Sequence, residues 1–407
     1  MRAYLFIFFL LITSTISASN VLIDSLFNKM NQYSDAEKDF RWQDFISQLN
    51  DSVVKITTDF ESHYLKTNFL KESNQLVFGG VVEFEHNKPR LVWGVKNLSE
   101  TNNVFIFYNE IDFQTLTPEN KDLIIDSKEF SIDENIYNQL FFTYGENLVY
   151  DVIDIELKLS FQRIVESKYN REKEELSEKI EAKLVPLLND ESLFDDKFIG
   201  LEKLSTLVSN DKNLKICTWN IQLRNGIQKM YGAVVTRQDI DSKISVTLLN
   251  DDKENIKSPE RAQLSPQKWF GAVYYDIIEV EHKKDTHYIL LGYNGNNLFT
   301  KIRVVEVIKI MGNNRVVFGS PIFMYERATK RRVVFEYSSR VNMMLRYDPK
   351  VKMIVFDNLE PAEPMHQGDF RYYGPDFTYN GFSLKNGKWN YVAEIDLRNP
   401  STKKRRR

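Results

Sequence analysis

Only one cysteine, Cys217, occurs in 407 residues, so the chain forms no internal disulfide. The disulfide framework usual in secreted eukaryotic proteins of this size is thereby excluded. Proline and glycine are scarce, at 11 and 16 residues, which leaves no long Pro- or Gly-rich linker. The motifs HExxH, GxSxG, GxGxxG and the phosphate-loop pattern ending GKS or GKT do not occur. The common hydrolase and nucleotide signatures are therefore missing, and no cofactor or nucleotide partner is expected. After the first dozen residues there is no second long apolar run, so the mature chain is expected to be soluble.

The first segment addresses compartment. Arg2 gives a positive start, Tyr4 to Ile12 are nine apolar residues in a row, and Thr13, Ser14, Thr15, Ser17 and Ala18 are small or hydroxylated. That is the pattern of a secretory signal peptide over residues 1–18, with cleavage expected after Ala18. The run falls short of the roughly 20 residues that span a bilayer. Export without disulfides fits a bacterial periplasm or the cell exterior. Cys217, in the alternating stretch LKICTWNI, reads as a buried, inert thiol.

Hydrophobic residues at 42% and aromatics at 13% suffice for real cores. Charge is unevenly placed. Residues 19–200 hold 34 acidic and 19 basic side chains, a net −15, whereas residues 201–407 hold 23 and 34, a net +11. Such asymmetry suggests two parts that attract each other, or a basic part with an anionic partner.

Residues 21–50 read as helical, with stripes of Leu22, Leu26 and Met30, then Phe40, Phe45, Ile46 and Leu49, and an N-cap at Ser34 or Asp35. From Ser52 the runs LVFGGVVEFEH, RLVWGVK and NVFIFYNEI are strand-like; residues 134–145 are ambiguous. Ile153, Ile155, Leu157, Leu159 and Phe161 alternate with polar residues, which predicts a half-buried strand. A helix is predicted over 164–189, its apolar face built by Tyr169, Leu176, Ile180, Leu184 and Leu187. From Leu214 to Leu397, thirteen β-rich runs are joined by short connectors such as RNG, NGNN, DPK and KNG. Such connectors mark hairpins and antiparallel meanders. The expected fold is mainly β with an α+β N-terminal region and a C-terminal meander closing into a barrel, sandwich or propeller-like array. The expected divisions are an acidic region over 19–163, a helical connector over 164–200, an antiparallel β domain over 201–399 and a basic tail over 400–407.

His282 and His287 flank a turn holding Asp285 and would suit a metal only with further ligands, so exposed polar turn residues are the preferred reading. Asp348, Asp357, Glu360, Glu363, Asp369 and Asp376 offer carboxylates for glycan hydrolysis, though several sit in turn contexts. Eight aromatics fall between Phe370 and Tyr391. Most suit a β core, while Tyr372, Tyr373 and Trp389 are the candidates for a binding platform. Lys330, Arg331 and Arg332 read as a basic hairpin tip, and Lys403 to Arg407 as a loose basic tail; both are candidates for anionic partners.

Over 269–399 the stretches WFGAVYYDII, YILLGYNGNN, RVVFGSPIF, RVVFEYSSRVNMMLRYD, IVFDNLEP and YYGPDFTYNGFSLKNGKW, with the closing IDLRNP, resemble a family of exported Bacteroidota proteins without an assigned function. The resemblance implies export and β structure and supplies no catalytic residues. Three functions stay open: a non-catalytic envelope or secreted protein with a binding or structural role, a hydrolase of envelope glycans, or an anionic-surface binder using the basic half. The partner would be anionic lipid, polysaccharide or another envelope protein. Export predicts a natural protein that begins near Ser19; N-terminal sequencing that finds an intact Met1 in a cytosolic fraction would refute it.

Overall fold

The computed structural model describes residues 22–53, 65–70, 73–82, 88–98, 104–110, 123–144, 147–237, 243–282, 285–325 and 328–396. The expected leader and basic tail lie outside these residues. The chain divides into two compact units, Met1–Leu159 and Ser160–Arg407, and the whole is mainly β.

In the first unit, residues 22–32 form α1 and Asp35–Val53 form α2. Ser34 starts α2 as the sequence predicts. Its amide donates to the Glu37 carboxylate at 3.1 Å and its carbonyl accepts from the Lys38 amide at 2.9 Å. The Ser34–Glu37 contact is half of a capping box and satisfies a donor that the helix cannot. The buried stripes differ from those expected. Ile23, Phe27 and Met30 face inward on α1, and Trp42, Phe45, Leu49 and Val53 on α2. Leu22 is 47% exposed and Phe40 86%. Position 40 lies roughly 200° around the helix from position 42, so burying the larger Trp42 turns Phe40 outward. Trp42 also packs edge-on against Tyr108 and lies under the Arg90 guanidinium at 4.7 Å.

The helices cover an antiparallel sheet of β1 Lys66–Leu70, β2 Gln75–Val82, β3 Arg90–Asn97 and β4 Val104–Glu110, paired in chain order. A second sheet holds β5 Leu123–Ile132, β6 Asn135–Tyr144 and β7 Asn147–Val152, so most of the ambiguous stretch is strand.

The strand expected over 153–161 is instead α3, Ile155–Glu166. Asp154 begins it, its carboxylate accepting from the Leu157 amide at 3.2 Å and the Asn138 amide at 3.1 Å. Lys158 is buried, its ammonium 3.1 Å from the Tyr150 hydroxyl and 4.8 Å from the Phe107 ring centre. Alternation reads as strand only if polar residues face water. Here Asp154 and Lys158 are inside with partners, and the helical period holds.

The helix predicted over 164–189 is broken: α3 ends at Glu166 and α4 runs Asn170–Asn189. Ser167 makes the break by accepting the Tyr169 amide on its hydroxyl at 3.1 Å, a local bond that competes with helix continuation. Tyr169, expected on the apolar face, is 70% exposed, while Leu176, Ile180, Leu184 and Leu187 are buried as expected.

In the second unit α4 packs on a sheet of β8 Ser205–Val208, β9 Leu214–Gln222, β10 Gln228–Thr236 and β11 Ser245–Asn250. Buried Cys217 lies in β9. The middle sheet comprises β12 Val273–His282, β13 Asp285–Asn294, β14 Thr300–Met311 and β15 Arg315–Phe318, with β18 Val333–Ser338 paired to β14. The far sheet comprises β16 Phe323–Tyr325, β17 Ala328–Lys330, β19 Leu345–Asp348, β20 Met353–Pro361, β21 Tyr373–Lys385 and β22 Lys388–Val392, ordered β17-β16-β22-β21-β20-β19. Pairing is antiparallel except between β16 and β22.

Among the described residues no sheet closes into a barrel; the sheets of the second unit bury their faces by stacking. Leu290, Ile302, Val304 and Ile308 pack with Ile216, Met230 and Val234 on one side of the middle sheet. Ile289, Leu291, Val305 and Val307 pack with Phe323, Ile354, Phe356 and Phe382 on the other. Burial on both faces explains why YILL and VVEVI are near-continuous apolar runs.

One acid interrupts that run. Glu306 and Arg332 are each 0% exposed, and the Arg332 Nε donates to Glu306 Oε2 at 2.7 Å. The other carboxylate oxygen accepts the Val307 amide at 2.9 Å, and the guanidinium also donates to the carbonyls of Pro259 and Ala262. Burial pushes the Glu306 carboxyl above its ordinary range, and Arg332 opposes that push. Gly319, at φ +88°, borders the pair, and a Cβ there would stand 2.9 Å from Arg332 Nη2, so glycine is required by backbone and space alike. Replacing Arg332 with methionine strands a buried carboxylate and should lower unfolding free energy by about 3–5 kcal/mol. In denaturant titrations, Glu306→Leu combined with Arg332→Met should recover most of the loss; a single Arg332→Met variant as stable as the parent would refute this account.

Candidate functional site

The residues expected to bind a partner do not form one surface. Arg332 belongs to the buried ion pair. Trp389 is 1% exposed and sits in the core between the middle and far sheets. Lys330 pairs with Glu260 at 2.8 Å and lies 4.1 Å over the Tyr325 ring, and Arg331 donates to Gln263 at 3.2 Å. These basic residues are not a hairpin tip. They mark the crossing from β17 in the far sheet to β18 in the middle sheet, and the 259–263 segment supplies their acceptors.

The metal reading is likewise not supported by placement. Asp285 pairs with Lys309 at 2.8 Å. His287, expected as an exposed turn residue, is instead buried within β13 with Nε2 3.1 Å from the Ser320 hydroxyl. The His282 side chain lies outside the described residues. Among the described residues no group of three or more His, Cys, Asp or Glu side chains is placed to hold a metal.

Four of the late carboxylates hold local structure. Asp348 accepts the Lys350 amide at 2.9 Å and pairs with Arg346 at 2.8 Å. Asp369 grips Arg371 through both oxygens, at 2.8 and 2.6 Å. Asp357 accepts the Met344 amide at 2.7 Å; burial pushes its carboxyl up, that hydrogen bond pulls it down, and nearby Asp376 adds to the rise. Burial also acts to raise Asp376, but hydrogen bonds from Asn358 and Thr378 outweigh it and hold Asp376 below the usual range.

Tyr372 and Tyr373 border a different feature. Between β20 and β21 the chain turns through 364–372. Tyr372 is 43% exposed, its ring stacked on His366 at 3.9 Å, and the half-buried Tyr373 accepts the Gly368 amide on its hydroxyl at 3.0 Å. This turn forms one wall of a groove of about 540 Å³ whose opposite wall is the connection between β13 and β14.

That second wall is fixed by its asparagines. The Asn294 side chain donates to the Gly271 carbonyl at 2.8 Å and accepts the Asn296 amide at 2.7 Å. Asn297 accepts the amides of Phe299 and Thr300 at 2.8 and 3.1 Å. Asn296 takes φ +50°, a left-handed conformation that asparagine tolerates. Phe299 and Phe370 stand on the two walls, 63% and 41% exposed. Glu336 lines the space between, one oxygen accepting the Thr300 hydroxyl at 2.7 Å. The groove thus offers two apolar rings, a carboxylate, amides and the Asp369–Arg371 pair.

Sequence reading identified Tyr372 and Tyr373 near this groove but missed Asn297, Phe299 and Glu336. The available signal was Leu298-Phe299 directly after NGNN: large apolar residues at a turn, where strand pairing cannot bury them.

No protein-family model and no curated protein matches the chain.

The two aromatic candidates should respond differently to truncation. Trp389→Ala empties a core position and should cost about 3–5 kcal/mol, whereas Tyr372→Ala at the surface should stay within about 0.5 kcal/mol of the parent. Equal thermal shifts for both would contradict this placement.

Proposed function

We propose that the chain is an exported, non-catalytic binding protein of the envelope or secreted fraction, and that its second unit holds a polysaccharide in the groove between 297–300 and 367–371. The observation that carries this reading is the pair of exposed phenylalanines on opposite walls, with carboxylate, amide and guanidinium groups between them. Apolar ring faces pack against the C–H faces of sugars, and fixed polar groups orient the hydroxyls. The Asn-pinned wall lowers the ordering cost of binding. Export rests on the leader-like first 18 residues.

Phe299→Ala and Phe370→Ala should each weaken binding to a soluble polysaccharide about tenfold in calorimetry, the loss of roughly 1.4 kcal/mol, without shifting the melting temperature. Variants that fold and bind as the parent does would overturn the groove assignment. Release of shortened chains from the same polysaccharide would instead favour hydrolysis. Asp357 and Asp376, whose carboxyls are shifted in opposite directions, are the pair that reading would need.

A further inference from the structure

The far sheet ends in an exposed cationic rim. Asp348 pairs with Met353 across one turn, Lys385 with Lys388 across another, and Met353 with Ser383 between β20 and β21. Register therefore sets the two turns side by side. Lys350, Lys352, Lys385 and Lys388 all stand there exposed. None of the four is in an ion pair among the described residues. The acid of the first turn, Asp348, is already committed to Arg346 and to the turn amides. Elsewhere in this sheet and its connections Lys330 pairs with Glu260, Arg346 with Asp348 and Arg371 with Asp369.

Two further features distinguish the rim. Lys352 adopts φ +54°, a conformation that glycine or asparagine takes at lower cost, so neither folding nor charge balance calls for lysine there. Val351 and Leu384 stand among the lysines at 44% and 40% exposure. The groove lies beside Tyr373, at the other end of β21 from Lys385, so the rim is a separate surface.

We propose that this rim docks on a lipid bilayer bearing anionic headgroups, with the lysines at the phosphates and Val351 and Leu384 reaching the headgroup–acyl boundary. A soluble polyanion would satisfy the lysines but offers nothing to the apolar pair; a bilayer satisfies both. The attraction weakens as salt rises, because the charges are exposed.

The test is co-sedimentation of the full chain with phosphatidylglycerol–phosphatidylcholine vesicles, with pure phosphatidylcholine vesicles as the control. Preference for the anionic vesicles, lost at high salt, is expected. Lys350→Gln with Lys385→Gln should weaken that binding about 25-fold, at roughly fivefold per lysine. Val351→Ser with Leu384→Ser should weaken vesicle binding while leaving binding to soluble polyphosphate unchanged. Circular dichroism melts confirm folding of each variant. Parent-like vesicle binding by the lysine variant overturns the proposal, as does complete loss on deleting residues 400–407 alone. An unaffected apolar variant points to a soluble polyanion and overturns the bilayer assignment.

Discussion

The second unit is organised by a sheet that cannot meet water on either face. β13 and β14 carry large apolar side chains both inward and outward, so each must be covered by another layer. One cover is the β8–β11 sheet, itself backed by α4; the other is the β16–β22 sheet. This requirement accounts for the weaving of the chain, which leaves the middle sheet after β15, begins the far sheet with β16 and β17, returns as β18 and departs again. Arg332 sits at the return point, where its guanidinium neutralises Glu306 and fastens the 259–262 segment. An ion pair in such surroundings adds little net stability over an apolar pair, but neither partner tolerates loss of the other.

Much of this architecture is legible in the sequence because tight turns separate the strands. Runs such as KMYGAVVTR and THYILLGYN correspond to single strands, and connectors such as NGNN and KNG sit where the chain reverses. Two of the departures share a cause, polar residues that face inward. Asp154 and Lys158 are buried with partners, which made a helix look like a strand. Arg332 is buried against Glu306, which made a sheet crossing look like a surface tip. The facing of α2 was hidden because Trp42 meets Tyr108 and Arg90, contacts far apart in sequence.

The groove was hidden for a related reason. Its walls come from segments about 70 residues apart, joined only because β14 pairs with β18 and the 370–372 turn packs beside β18. Single segments disclosed their composition but not their proximity. The basic half of the chain was visible as a total, yet most of the densest cluster named from sequence is internally matched, whereas the unmatched lysines sit on two ordinary-looking hairpins.

The interleaving of β16 and β17 between β15 and β18 also bears on how the unit assembles. Neither the middle nor the far sheet can be completed before the other has begun, because each contains strands flanked in the chain by strands of its neighbour. Joining β18 to β14 therefore closes a loop that runs through β15, β16 and β17, a longer-range contact than a hairpin and one that slows folding. The two sheets also share one core, in which Val305 and Val307 of β14 meet Ile354 and Phe356 of β20, so loss of either layer exposes apolar surface on the other.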